Sequence, residues 1–292
     1  MRHKKYLAAL ICLLFGLTGA FACPGCIEAI PVPASVTGDN PRVFIDRNAN
    51  AQFWFSEPNN VNVYNYRNYP TDQRIQNSGT YRIVYEYGIP FIHFDWDAPN
   101  SRSQRIIGER FLMLRKEQQM LLYDGNAEPA FWAFHGGNIL LGSELLQNVR
   151  ASSTLTHGGL HFAATPDRLG THINRVWAVE GGVGERLYFE RMWAHQLALS
   201  IGYVHYSRPY LFQANSRPKR LRISSANSEN FFEVELEDTP HYQVIDLSAL
   251  PWEWWGEWGH ERRMIIEILE VRPGFRYNHT CINSIMLLFF GG

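Results

Sequence analysis

Charge is scarce in this chain. Only 19% of its 292 residues are Asp, Glu, Lys or Arg, and 27 basic residues nearly cancel 28 acidic ones. A nucleic-acid partner needs an unbalanced basic face and a solvating disordered chain needs far more charge, so the composition argues against both. A short basic cluster, Arg217, Lys219, Arg220 and Arg222, alternates along an expected strand and reads as a solvated face. Cysteine is sparse too, at four. The one C-x-x-C, Cys23-Pro24-Gly25-Cys26, has no second pair to complete a zinc site. Pro31 and Pro33 deny it the helix a redox dithiol uses to lower its pKa. Residues 41–148 hold no Gly-rich phosphate loop, no H-E-x-x-H and no nucleophile elbow. His157 and His161 stand four apart, but Gly158-Gly159 between them breaks the helix that would align them on a metal. No catalytic residue, metal or cofactor is expected.

Aromatic and apolar residues are plentiful, at 14% and 46%. The first of them set the compartment. Arg2, His3, Lys4 and Lys5 precede an apolar run from Tyr6 to Gly19, and Ala20-Phe21-Ala22 then offers small residues on either side of a cleavage point. The run falls short of the ~20 residues of a membrane span, so residues 1–22 read as a secretory signal peptide. Cys23 follows the cut directly and partly matches a bacterial lipobox, although bulky Phe21 fits it poorly. Plain cleavage and lipidation of Cys23 both fit, and a diacylglyceryl group would hold the protein on a membrane. The expected location is extracytoplasmic, either secreted or lipid-anchored at a bacterial cell envelope. Cys12 leaves with the signal, and whether Cys26 and Cys281 pair cannot be read from spacing.

Residues 23–40, rich in Pro and small residues, read as a flexible tether. From 41 to 148 short strands follow one another: Arg42 to Ile45, Ala51 to Phe55, Val61 to Tyr66, Gly79 to Tyr87, Phe91 to Trp96, Arg110 to Arg115, Met120 to Tyr123 and Phe131 to Phe134. Gly88-Ile89-Pro90 and Lys116 to Gln119 supply turns. The block is expected to form an antiparallel β-meander or small barrel of unknown role. His135-Gly136-Gly137 breaks the pattern, and Asn138 to Val149 reads as a weakly helical or irregular link. A second block, 149–292, carries about eight further strands with turn signals spaced for a β-sandwich. It includes Ile201 to Ile223, read as a strand, an aromatic loop closing on Asn215-Ser216-Arg217, and a strand from Arg220.

That second block carries landmarks in a telling order. Ala151-Ser152-Ser153-x-Leu155 is followed by Val176-Trp177-Ala178-Val179-Glu180-Gly181-Gly182 and Val183-Gly184-Glu185. Gly202-Tyr203, Asn215 to Ile223, and Glu270 to Ile285 with its Thr280-Cys281-Ile282 complete the series. Together they resemble the NADase-type glycan-binding domains, a discoidin-like family related to F5/8 type C domains, over residues 150–290. The resemblance implies a galactose-binding-like jelly-roll β-sandwich and non-catalytic recognition of glycan. The acidic pair usual before Thr-Cys-Ile is Asn278-His279 here, so no role of those acids is carried over.

The fold class is thus expected to be all-β, a barrel or meander followed by a sandwich. Trp177, Gly181, Gly184 and Glu185, with Thr280 and Cys281, read as structural landmarks: an indole for the core, glycines for positive φ, a carboxylate for backbone donors. Candidate ligand residues fall into three sets. Trp252, Trp254, Trp255 and Trp258 crowd four indoles into one segment, with Glu253 and Glu257 between them. Indole faces stack on the apolar face of a pyranose. Tyr203, Tyr206 and Tyr210 form a second aromatic set, and Asn215 and Arg217 offer polar forks for sugar hydroxyls or for pinning the loop. The expected partner is a glycan or glycoconjugate. The alternative is a protein partner docked by an adhesin-like surface lipoprotein, with membrane contact only through a lipid anchor. A glycoside hydrolase built on Glu253 and Glu257 is the least favoured reading.

Overall fold

The short strands of the first block close on themselves. In the computed structural model, which describes residues 43–46, 51–56, 59–65, 75–98, 109–116, 119–126, 131–133, 146–170, 172–190, 194, 196–225, 230–247 and 263–288, eight antiparallel strands form a closed barrel. They are β1 (Val43–Asp46), β2 (Ala51–Ser56), β3 (Asn60–Asn65), β4 (Ile75–Glu86), β5 (Ile89–Trp96), β6 (Arg110–Lys116), β7 (Gln119–Tyr123) and β8 (Phe131–Ala133). Closure comes from β8 returning to β1, with Phe44 opposite Ala133 and Ile45 opposite Trp132. The β4–β5 turn is Tyr87-Gly88, with φ of +52° and +81°. Two left-handed residues match the twist of a two-residue hairpin. The turn therefore ends earlier than the sequence suggests: Ile89 and Pro90 already pair with Glu86 and Tyr85.

Strands β5 to β7 are buried on both faces. Ile92, Phe94, Trp96, Phe111, Met113 and Leu122 share one face by register and fill the barrel. Phe94 stacks on Trp96 at 5.0 Å and meets Phe111 edge-on at 5.7 Å. The opposite face, including Phe91, Leu112, Leu114, Leu121 and Tyr123, is equally dry because the second block covers it.

That block is a two-sheet sandwich. Its strands are β9 (Gln147–Ala151), the small hairpin β10 (Thr156–His157) and β11 (Leu160–His161), β12 (Trp177–Glu180), β13 (Arg186–Glu190), β14 (Gln196–Ile201), β15 (Arg217–Ser225), β16 (Phe231–Glu235), β17 (Gln243–Asp246), β18 (Arg263–Arg272) and β19 (His279–Leu288). A four-stranded sheet, β12-β19-β14-β17, faces a five-stranded one, β16-β15-β18-β13-β9. Trp177, Leu187, Phe189, Leu199, Ile223, Ile266 and Ile282 are among the residues between them. Several boundaries differ from expectation. The strand after the aromatic loop begins at Arg217 rather than Arg220, and Gln147–Val149 belongs to β9 rather than to a helical link. The aromatic loop itself contains one turn of helix, α1 (Leu211–Ala214). No helix among the described residues is long and apolar enough to cross a bilayer.

Strand β19 explains the apolar run at the end of the chain. Ile285 and Leu287 point into the sandwich, while Met286 and Leu288 point out of it and pack, with Ala198, Phe212 and Tyr242, on the outer face of β5 to β7. A strand buried on both sides cannot alternate apolar with polar residues. Polar pins cross the same seam: Tyr206 Oη donates to the Arg110 carbonyl at 2.9 Å, and the Tyr242 amide to the Arg115 carbonyl at 2.8 Å. Asn174 Nδ2 donates to the Gly125 carbonyl at 3.2 Å.

Candidate functional site

One end of the sandwich gathers the loops before β12, after β12, and between β18 and β19. The first is held to the free edge of β12: the Leu155 amide donates to the Ala178 carbonyl at 2.8 Å, and the Ala178 amide to the Phe162 carbonyl at 3.2 Å. Its tip, Gly158-Gly159, has φ of +58° and +78°, the geometry of a two-residue hairpin. The hairpin register sets His157 opposite Leu160, and Thr156 opposite His161. His157 and His161 therefore lie on opposite faces. His161 bonds Thr156 Oγ1 through Nδ1 at 3.0 Å. His157 instead reaches across to β19.

There it meets a pair of parallel rings. Tyr277 and His279 stack with 5° between their planes and 5.6 Å between centroids. The His157 ring lies 5.2 Å from that of His279 and 6.5 Å from that of Tyr277. Arg276 sets its guanidinium 5.2 Å from the Tyr277 centroid. His279 is directly opposite Glu180 across the β12–β19 ladder. Partial burial and the nearby His157 lower the His279 pKa, against a smaller opposing pull from Glu180. Beneath this cluster Val176, Ala178 and Cys281 form a small dry core with Leu155, Phe162 and Tyr203. Burial pushes the Cys281 thiol up to about 12, and it is in no disulfide. At the rim, Leu160, Val183 and Phe275 are exposed, Phe275 most of all at 66%.

The glycine-rich turn after β12 is held by backbone geometry. Gly181, Gly182 and Gly184 all have positive φ. The Gly181 amide donates to the Asn278 carbonyl at 2.7 Å, and Thr280 Oγ1 returns a bond to the Gly181 carbonyl at 2.8 Å. Glu185 accepts the Ser152 hydroxyl, and Trp177 Nε1 donates to the Ser153 carbonyl at 3.1 Å.

The residues singled out in the sequence are dispersed. Arg217 is buried: Nε and Nη2 grip the Asp238 carboxylate at 2.6 and 3.1 Å, while Nη1 donates to the Phe212 and Asn215 carbonyls at 2.8 Å each. Asn215 is buried too, its Nδ2 donating to the Leu211 carbonyl at 2.9 Å. The polar forks of both are spent on the aromatic loop itself. Tyr206 lies in the seam with the barrel, edge-on to Phe91 at 5.8 Å. Tyr210 meets Tyr87 of the barrel turn edge-on at 6.2 Å. Tyr203 packs edge-on to Phe162 at 6.1 Å, and its hydroxyl pKa is raised by burial. Trp252, Trp254, Trp255 and Trp258 lie outside the described residues, as do Cys23, Cys26 and the signal segment. The flanking Asp246 and Arg263 pair with Gln196 and Glu190, at the opposite end of the sandwich from the histidine cluster.

The basic cluster is neutralised. Arg220 bonds Glu233 at 3.2 Å and Glu270 at 2.6 Å, Arg222 bonds Glu233 at 3.0 Å, and Lys219 bonds Glu270 at 3.1 Å. Among the described residues no group of three or more His, Cys, Asp or Glu side chains is arranged to hold a metal. The histidine–tyrosine cluster is what sequence reasoning missed. Its one legible signal was Gly158-Gly159, a hairpin tip that aims His157 at a distant strand.

A two-sheet sandwich with this order of landmarks agrees with a sequence model of the NAD glycohydrolase translocation F5/8 type C domain, which matches residues 142–288. The chain belongs to this family. Its F5/8 type C sandwich is a carbohydrate- or protein-binding or translocation-related domain, and the NAD-cleaving activity in the description concerns a different region from the one matched. No curated protein matches the chain.

Proposed function

We propose that this F5/8 type C protein is exported and acts as a non-catalytic binding protein, recognising carbohydrate through one end of its sandwich. The observation that carries the reading is the loop end itself. Phe275 stands exposed two residues before Tyr277, whose ring lies parallel to that of His279, while the polar forks of Asn215 and Arg217 are turned inward. Aromatic faces in that setting stack on the apolar face of a pyranose, and the nearby Glu180 and Arg276 supply acceptors and donors for its hydroxyls. The segment bearing Trp252 to Trp258 is the second candidate for the same chemistry.

A glycan array probed with the full mature chain separates the two candidates. Phe275→Ala is expected to abolish binding and Trp255→Ala to preserve it if the loop end is the site. The reverse pattern moves the site to the tryptophans. No binding to any glycan favours the second reading, in which the sandwich of a surface lipoprotein docks a protein. Turnover of a bound sugar would overturn both. Mass spectrometry of the mature N-terminus decides the anchor: an unmodified Cys23 removes the lipid.

A further inference from the structure

We infer that the sugar bound by the sandwich is acidic, its carboxylate or sulfate held by Arg168, Arg208 and Tyr203. The inference rests on the reading that the loop end binds glycan, and adds to it the chemical class of the ligand. It starts from the spacing of a strand. His279 and Cys281 are two apart on β19 and share its outer face, about 7 Å apart along the chain. Over the first lie the rings of Tyr277 and His157. Over the second pack Phe162 and Tyr203, which meet edge-on at 6.1 Å. The His205 ring follows, 5.8 Å from that of Tyr203. Two groups of part-exposed rings thus lie side by side on one face, which suits successive sugars of a chain.

Charge supplies the class. The arginines of the five-stranded sheet are largely spent on carboxylates: Arg186 and Arg222 on Glu267, Arg220 on Glu233 and Glu270. Arg168, Arg208 and Arg276 make no ion pair with a described residue. Arg276 lies by the Tyr277 ring at one end of the strip. Arg208 and Arg168 stand at the other, where burial raises the pKa of the Tyr203 hydroxyl and both their charges pull it down. That hydroxyl makes no hydrogen bond to a described residue, whereas those of Tyr206 and Tyr242 do. His205 adds to the excess of donors. The Ser207 amide faces its Nδ1 at 3.2 Å and Arg208 Nη2 faces its Nε2 at 3.1 Å, yet a neutral imidazole accepts at only one nitrogen. The acids nearby do not balance this spot: Asp167 is drawn to Arg175 at 3.6 Å, and Glu180 stands beside His279. Two guanidiniums and a phenol with no carboxylate between them repel one another until an anion arrives. The planar fork of arginine fits the paired oxygens of a carboxylate or sulfate.

The test is a glycan array in which each acidic chain stands beside its neutral counterpart, uronates with their methyl esters and sulfated chains with desulfated ones. Probed with the full mature chain, the acidic member of a pair is expected to bind more tightly, and which pairs respond distinguishes carboxylate from sulfate. Arg208→Ala and Arg168→Ala are each expected to weaken the acidic member by roughly 10- to 100-fold and to leave the neutral member unchanged. Tyr203→Phe, which keeps the packing on Phe162, is expected to cost roughly 2- to 10-fold. Arg150→Ala, an exposed arginine on β9 of the other sheet, is expected to change nothing. Equal binding of acidic and neutral members overturns the inference and leaves glycan recognition standing. Binding of no glycan overturns both. An acid preference that survives the Arg168→Ala, Arg208→Ala double variant, or one that Arg150→Ala weakens as much as Arg208→Ala does, also overturns it. Melting curves establish that each variant is folded, and Tyr203→Phe carries the test should an arginine variant not be.

Discussion

At the scale of single residues, Arg217 and His241 show how polar groups are spent on structure. Arg217 is a buried cation held by one carboxylate and two carbonyls. Replacing it by alanine strands the Phe212 and Asn215 carbonyls. The expected cost is about 2–4 kcal/mol, read from the midpoint of urea unfolding. Asp238→Ala is expected to cost a similar amount, because it leaves the buried guanidinium without a counter-charge. His241 lies in the seam between barrel and sandwich, where Nδ1 accepts the Arg115 amide at 3.2 Å. Burial, and then the Arg115 charge, lower its pKa to about 3, and burial beside Arg208 takes His205 to about 4. The unfolded chain takes up protons near pH 6.5 that the folded chain refuses until pH 3 to 4, so stability is lost as pH falls through that window. Each such proton contributes a slope of up to about 1.4 kcal/mol per pH unit. His241→Gln keeps an acceptor for the Arg115 amide but cannot titrate. Its melting temperature between pH 6.5 and 4 is expected to fall less steeply than that of the unaltered chain.

At the scale of elements, the turn after β12 gives a graded test. A Cβ added at Gly182 would collide with the Thr280 side chain, whereas one at Gly184 would meet nothing within 4 Å. Both residues have positive φ, so each alanine variant carries a backbone cost of about 1–2 kcal/mol. Gly182→Ala is expected to be clearly the worse in thermal melts, since it also displaces the threonine that ties β19 to the turn. The glycine signal in this element was legible from sequence, as were most strands, because period-two alternation and Gly or Asn turns are local. What escaped was non-local. Trp177–Glu180 becomes a strand only with β19 beside it, and the choice between sugar fork and loop pin at Asn215 and Arg217 turns on Asp238, which arrives from another loop. His157 gave no hint of His279, more than a hundred residues away, because no periodicity encodes a contact between two loops.

At the scale of the whole molecule, the barrel and the sandwich share a dry layer in which β5 to β7 meet β14 and β19. Two blocks joined this way are expected to unfold in one calorimetric transition rather than two. Met286→Ala, which opens a hole in that layer, is expected to lower stability by about 2–5 kcal/mol and to shift barrel and sandwich probes together. An independent melt of either block would count against the shared layer. The same layer bears on the order in which the chain is made. The barrel is synthesised before the sandwich strands that cover its outer face, β14 and β19. Until Ala198, Phe212, Tyr242, Met286 and Leu288 have all emerged, the outer face formed by Leu112, Leu114 and Leu121 lacks its full cover. The nascent barrel is therefore a sticky intermediate through most of translation, and the aggregation hazard of this protein belongs to its unfinished state rather than its native one.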